Sequence, residues 1–409
     1  MRALTPEDLA KSPNPLARHY SRFRVGERLL LTGHSHQAWP DVAFEGQVEA
    51  WNDAAELVDD KWEKAANRAN RMRAGFARLL GDGARPEEIA LGTNTHELVL
   101  RVLSALPLAE RPRLVTTDGE FHTIRRQLDR LAETRWIELL KVAAEPTSTL
   151  AERLIAAVDG RTAAVLASSV LFTNAHIVPG LGRVLEACRR AGAELLVDAY
   201  HHLNVVPFSL AGNGLTDAFV VGGGYKYCQL GEGNCFLRVP PGREGLRPVL
   251  TGWFAEFDEL SDKPPATQEG VHYASGPAQW AGATYDPVSH HRGARVFDFF
   301  VEQGLTADVL RALSRHQVAL LARTFDALDL DPAVLDRDRT TPLEQVGGFL
   351  ALRSPNAGEI AARLRTRGVW VDFRGEVMRL GPAPYLEDRQ LTDAIGIFGA
   401  LLDRKRAGA

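Results

Sequence analysis

Short apolar runs alternate with stretches of helical period through the middle of the chain. That alternation is expected of a mostly parallel sheet covered by helices. The runs read as strands are Glu88–Gly92, Arg113–Thr117, Ala163–Ser168, Glu194–Asp198 and Ala218–Val221. Between them, Thr95–Leu106 and Gly182–Ala191 carry helical period, the second with Pro179 just before it and Gly192 near its end. After the Gly231–Gly233 turn, Phe236–Val239 reads as an antiparallel edge strand. Beyond about Tyr285 the pattern changes. A long helix over Ser289–Gln303 leads into an α+β region that ends in another helix, Arg389–Lys405. This predicts a second, smaller domain, with part of the N-terminal segment folded beside it.

A length of 409 residues suits two such units. The apolar fraction of 45% and charged fraction of 24% are ordinary globular values, so composition leaves the picture unchanged. A net charge of −4, with both signs interspersed, offers no basic stripe for nucleic acid. The charged N-terminal stretch Met1–Phe23 holds Pro13 and Pro15 and lacks the apolar core of a signal peptide. No apolar run approaches the roughly 18 residues that span a bilayer. Cys188, Cys228 and Cys235 have neither disulfide nor metal spacing, which fits a reducing compartment. The expectation is a cytoplasmic protein acting on small molecules, without membrane or nucleic-acid partners.

Candidate chemistry gathers where ligands collect in such sheets, at the carboxyl ends of the strands. Glu194-Leu-Leu-Val-Asp198 ends in a single carboxylate, followed by Ala199-Tyr200-His201-His202. The next strand runs into Gly223-Gly224-Tyr225-Lys226-Tyr227, placing Lys226 28 residues after Asp198, about one βαβ step. Together they suit pyridoxal 5′-phosphate (PLP). Its pyridine nitrogen needs a buried anion to stay protonated, and its aldehyde needs a desolvated, neutral lysine. Glycines before the lysine would let the backbone approach the cofactor. Taken singly, Asp198 is an ordinary helix cap and Lys226 a solvated loop lysine; their order and spacing favour the site. Gly92-Thr-Asn-Thr-His-Glu97 follows a strand and opens a helix, where Thr95 and backbone N–H groups form a phosphate cup or simply a capping box. Phe121, in Glu120-Phe121-His122-Thr123, is either core or a ring stacked on the pyridine face.

The runs Asp198-Ala-Tyr-His201 and Gly224-Tyr225-Lys226-Tyr227 resemble the cofactor segment of kynureninase and its relatives, the class V aminotransferase group of PLP fold type I enzymes. Thr251-Gly-Trp253-Phe254 resembles that family's Gly-Trp-aromatic motif. Gly368-Val-Trp-Val-Asp372-Phe-Arg374 with Arg379-Leu-Gly-Pro-Ala-Pro-Tyr385 resembles its C-terminal signature, and Gly33-His-Ser35 stands where it has a Gly-Asn-Ser loop. The resemblance runs from about residue 30 to 395. It implies an α/β fold with a mostly parallel seven-stranded sheet in a large domain over 36–284, and a smaller α+β domain built from 1–35 and 285–409. It implies Lys226 as the Schiff-base lysine, Asp198 on the pyridinium and His201 near the phenolic oxygen or that aspartate. Tyr225 would contact the phosphate and shuttle a proton, Phe121 would stack on the ring, and Asn94 and Thr95 would cradle the phosphate. Trp253 would also touch the cofactor, while Arg379 would grip the substrate α-carboxylate, with His34 and Ser35 beside it. Family members are homodimers with shared sites, so Thr284 would reach the partner's phosphate.

The implied activity is kynureninase-type hydrolysis of a Cβ–Cγ bond, giving alanine and an aromatic acid. A β-lyase, epimerase or aminotransferase activity of the same group is the alternative, and a non-catalytic PLP-binding module is a third. The departures fall on the half of the site that reads the side chain. Ala255-Glu256 replace the usual Gly-His, Ser275–Thr284 lacks the family's Ser-Asn-Pro-Pro, and His34 and His36 occupy the N-terminal loop with Trp39 nearby. Cysteine desulfuration needs a mobile nucleophilic cysteine in the C-terminal half, and none lies beyond Cys235. The pairs His34/His36 and His290/His291 have no completing ligands, so no metal is expected.

Overall fold

The computed structural model describes residues 4 to 259 and 270 to 402. Among these, seven strands form one sheet in the order Ile89–Gly92, Cys235–Arg238, Phe219–Gly223, Glu194–Asp198, Thr162–Ser168, Arg113–Thr117, Glu138–Val142. Cys235–Arg238 runs antiparallel to both its neighbours and the remaining pairs are parallel. Helices such as Thr95–Ala105, His122–Glu133 and Leu181–Ala191 fill the crossovers. Both faces of the sheet are thereby covered, and all seven residues of Thr162–Ser168 are buried. Two core clusters lie on its two faces, one around Val165, Val197 and Phe236, the other around Leu166, Leu196 and Phe219.

The sequence expectation of five parallel-sheet strands holds to within a residue or two, with one misplacement and one omission. The run expected at an edge is internal, because Ile89–Gly92 pairs on its far side. Glu138–Val142 was missed; it is one of the two edges, Ile89–Gly92 being the other, and is half exposed along its length. At the other end of the sheet, Arg238 donates to Glu88 Oε2 at 2.9 Å and to the Thr216 and Ala218 carbonyls. This nearly dry guanidinium locks the reversed strand to the entrance of the first strand.

Beyond the helix Val288–Glu302, a four-stranded antiparallel sheet contains Leu350–Arg353, Asp372–Arg374 and Val377–Leu380, backed by Ala307–Asp326 and Asp388–Leu402. The last helix was expected to run to Lys405, and its end lies outside the described residues. Leu29–Leu30 pairs in parallel with Val369–Trp370, and Thr32 bridges Gly381, so the N-terminal segment packs beside this sheet. Two helices the pattern did not isolate, Val42–Leu57 and Lys61–Leu80, cross the long helix. Among the described residues, no helix is long and apolar enough to cross a membrane.

Candidate active site

Five strand ends and loops converge on a cavity of about 450 Å³ lined by Asn94, Thr95, Phe121, Ser168, Asp198, His201, Tyr225 and Lys226, among others. A volume of this order suits a cofactor-sized ligand. Lys226 sits three residues past the strand Phe219–Gly223 and is 4% exposed. Its Nζ lies 2.7 Å from His201 Nε2, and 4.5 Å and 5.1 Å from the ring centroids of Tyr200 and Phe121. Burial lowers its pKa to about 7, with Asp198 pulling the other way. The neutral amine, the form that can attack a carbonyl, is therefore accessible near pH 7.

The glycines before Lys226 also have a packing task. A Cβ on Gly223 would stand 2.5 Å from Cys235 Sγ and from the Tyr200 hydroxyl, and one on Gly224 would stand 2.4 Å from Leu230. They admit neighbouring side chains, which in turn set the path of the lysine loop.

Asp198 accepts from Tyr200 N–H at 2.8 Å, and burial raises its pKa. A poorly solvated carboxylate with one backbone donor is poised for a cationic partner. His201 is held neutral, first by burial and then by the Lys226 charge, and its Nδ1 has no partner among the described residues. Asn94 caps its helix by accepting from Glu97 N–H at 2.9 Å. The first-turn residues Thr95 and His96 lie on the cavity wall, at the positive end of the helix. Tyr225 stacks between His36 (5.1 Å) and Tyr200 (5.0 Å); burial pushes its phenol up to about 12, so it is a proton donor at neutral pH.

The second half of the site comes from the smaller sheet. Asp372 and Arg379 are cross-strand partners. Arg379 donates through Nε and Nη2 to the two Asp372 oxygens at 2.9 and 2.6 Å, and through Nη1 to the Phe172 carbonyl at 2.8 Å. His34 Nε2 lies 2.8 Å from Asp372 Oδ1. Asp372 thus takes one edge of the fork and leaves hydrogens on Nη1 and Nη2 for a carboxylate. Burial alone would raise the Asp372 pKa, but hydrogen bonds from His34 and Arg379 outweigh it and hold it well below the usual range. His34 is neutral, lowered to about 4 chiefly by burial. Phe349 is the shared floor of this half, in ring contact with His34 and His201 and beneath Arg379. Ser35 instead bonds the Thr32 carbonyl at 3.1 Å as part of the loop turn.

Trp253 and Thr284 are not brought to this cavity. Trp253 is 46% exposed, and its Nε1 donates to Thr284 Oγ1 at 3.2 Å. Thr284 lines a second cavity, of about 810 Å³, which meets the first at Thr93. Four residues that sequence reasoning left without a role stand at the site: Asp372, Phe172, Phe349 and His36. The alternation of Asp372 and Arg374 in a short strand was the available signal for the first, whereas the others depend on loop packing. Among the described residues no cluster of ligating side chains could hold a metal ion.

The family model for the kynureninase C-terminal domain matches residues 310–398, which include Asp372 and Arg379. Isopenicillin N epimerase from Streptomyces clavuligerus is 30% identical over 344 residues, covering 81% of this chain and 82% of that protein. The chain belongs to the class V aminotransferase group of PLP-dependent fold type I enzymes. An uncharacterized aminotransferase of Bacillus subtilis (strain 168), YcbU, is 21% identical over 86% of this chain and 89% of its own. Among solved structures, a C-DES mutant with glycine covalently linked to the PLP cofactor matches at TM-score 0.79 and 16% identity, over 94% of this chain and 99% of its own. The apo cysteine desulfurase of Thermococcus onnurineus NA1 matches at TM-score 0.76 and 16% identity, over 98% of each chain. At such identities the likeness is one of fold. The cavity fits PLP on its own terms as well: a buried lysine of lowered pKa, a carboxylate in need of a cation and an imidazole nitrogen unpartnered among the described residues surround it.

Proposed function

We propose that the chain acts on an α-amino acid as a kynureninase-type hydrolase, cleaving the Cβ–Cγ bond of L-kynurenine or a related γ-keto amino acid to give alanine and an aromatic acid. The observation that carries this reading is the Asp372–Arg379 clamp inside the segment matched by the kynureninase C-terminal model. Bound in the cavity, PLP supplies an electron sink for charge developing at the substrate Cα. Lys226 would hold the cofactor, and its amine, with a pKa about 7, would take and return the Cα proton at Nζ. Asp198 would hold the proton of the ring nitrogen, His201 would face the phenolic oxygen, and Phe121 would cover the ring. Asn94 would fix the helix turn at which Thr95 meets the phosphate. Arg379 would orient the α-carboxylate through its unengaged hydrogens, with Asp372 and His34 keeping the fork still. Tyr225, a phenol at neutral pH, would donate a proton near the phosphate end of the cavity.

A homodimer is part of this reading. Trp253 and Thr284, which lie outside their own chain's cofactor cavity, would complete a partner's, and Phe44, Val48 and Trp51 form an exposed apolar stripe on one helix. We further assign residues 36–284 to the large domain, 1–35 and 285–409 to the small one, and the protein to the cytoplasm.

The identity to isopenicillin N epimerase favours a second reading, inversion at Cα. Cysteine desulfuration is opposed by the chemistry of the thiols: Cys188, Cys228 and Cys235 are all buried, and burial pushes each to about 12. The discriminating experiment mixes PLP-loaded protein with L-kynurenine and 3-hydroxy-L-kynurenine in deuterated water. Alanine with an anthranilate-type acid supports hydrolysis. Recovery of substrate with deuterium at an inverted Cα supports epimerisation and overturns the first reading.

A further inference from the structure

One buried acid at the cavity has no part in the roles above. Glu120 is 1% exposed and stands just before Phe121, between the ends of two neighbouring strands. Thr117 Oγ1 donates to its Oε1 at 2.7 Å, and Ser168 N–H donates to the same oxygen at 3.2 Å. Its Oε2 lies 2.6 Å from Ser168 Oγ. Gly119 N–H donates to Thr117 Oγ1, whose own hydrogen is directed at Glu120. Ser168 is in register with Asp198 on the adjacent strand, and both line the cofactor cavity.

The proton between Ser168 Oγ and Glu120 Oε2 can belong to either oxygen, and the charges around it decide. An ionised Glu120 would put a second carboxylate near Asp198, across the intervening strand that ends in Ser168, where solvent screening is poor. The cations around it are engaged elsewhere: Lys226 faces Asp198, Arg379 is paired with Asp372, and His122, on the next helix among Arg125, Arg126 and Arg374, is itself held toward its neutral form, first by burial and then by Arg125. Asp198 is the carboxylate that a protonated ring nitrogen requires. The acid that carries the proton first as pH falls is therefore Glu120.

We propose that Glu120 is a positioning residue held as the neutral acid on the acid side of neutrality, donating to Ser168 Oγ, so that the Ser168 hydroxyl hydrogen turns into the cofactor cavity and Asp198 remains the one ionised carboxylate at these strand ends. Burial, aided by the Asp198 charge and opposed by the Ser168 and Thr117 hydrogen bonds, raises its pKa to about 7. Rising pH then ionises Glu120 and reverses the Ser168 hydroxyl, which makes the site's proton inventory pH-dependent near neutrality.

The inference rests on the placement of Asp198 at the cofactor ring, and its test begins where no cofactor is needed. Infrared spectra of wild-type apoprotein, with glutamate carboxyls carbon-13 labelled, are expected to contain a protonated-acid carbonyl band that fades with a midpoint near 7. The band should be lost in Glu120→Gln and shifted in Ser168→Ala, which removes the acceptor while leaving the acid. PLP-loaded Glu120→Gln should keep its cofactor and lose the wild-type absorbance titration near 7. A wild type without the band well below that midpoint overturns the proposal, as does a band unmoved by Ser168→Ala or a Glu120→Gln enzyme that titrates like the wild type. If Glu120→Gln fails to fold, the wild-type and Ser168→Ala spectra still decide. Failure of the cofactor to attach at Lys226 would instead overturn the site assignment and leave the apoprotein result standing.

Discussion

Asp372→Asn separates the grip on Arg379 from the rest of the site. Asparagine keeps an oxygen near Arg379 Nε and His34 but puts an NH2 group where Oδ2 now accepts from Arg379 Nη2 at 2.6 Å. One charge-assisted bond is lost, a donor faces a donor, and a guanidinium only 3% exposed loses its counter-charge. Breaking a fully buried pair from one side destabilises by about 3–5 kcal/mol. The Asp372 side chain is 18% exposed, so the expectation falls to about 2–4 kcal/mol once solvent screening is allowed for. Urea unfolding of wild type and variant measures it. Asp372 titrates well below its ordinary 3.8, so its contribution is present above that value and is lost as pH falls through the folded-state value. The gap between the two proteins should therefore close in strong acid. On the functional side a fork free to rotate misaligns the α-carboxylate. The amino-acid KM should rise about 10- to 100-fold, equivalent to about 1.4–2.8 kcal/mol, with bound PLP unchanged. An unchanged KM alongside the stability loss would remove Arg379 from carboxylate recognition. Unchanged stability would mean that the pair does not hold the guanidinium.

Three further outcomes follow from the same geometry. In apoprotein the Lys226 pKa is lowered from 10.5 to about 7, so the unfolded chain binds the extra proton between those values and stability should climb with pH across them; Lys226→Met should abolish that slope, worth about 3–5 kcal/mol, in pH-dependent denaturation. Gly223→Ala should destabilise by about 1–3 kcal/mol and weaken PLP retention, because the new methyl meets Cys235 and Tyr200 at 2.5 Å; a variant as stable as wild type with full cofactor would refute the packing role. Trp51→Glu, which puts a charge on a side chain 77% exposed, should shift sedimentation from dimer toward monomer, whereas a monomeric wild type would contradict the homodimer reading.

Parallel strands buried on both faces write themselves as apolar runs that stop at the first useful polar residue, which is why Asp198 and the approach to Lys226 were legible before any coordinates. Glu138–Val142 escaped because an edge strand with one half-solvated face mixes charge into the run. Cys235–Arg238 was read as antiparallel from its turn but placed at the edge, since nothing local reports that Ile89–Gly92, far back in the chain, pairs on its other side. The Asp372–Arg379 clamp is a matter of register between two short strands, and Glu120 needs two strand ends brought together. Trp253 shows the reverse case. Its motif was visible, but the single chain leaves it outside the cavity the motif suggested.

The central claim, that PLP is held on Lys226 beside Asp198, is tested most directly by reducing the PLP-loaded protein with borohydride and mapping the modified peptide by mass spectrometry. The account predicts one phosphopyridoxyl group per chain, on Lys226, and none in a folded Lys226→Ala variant. A label on another lysine, or wild type that binds PLP without any reducible linkage, would contradict it.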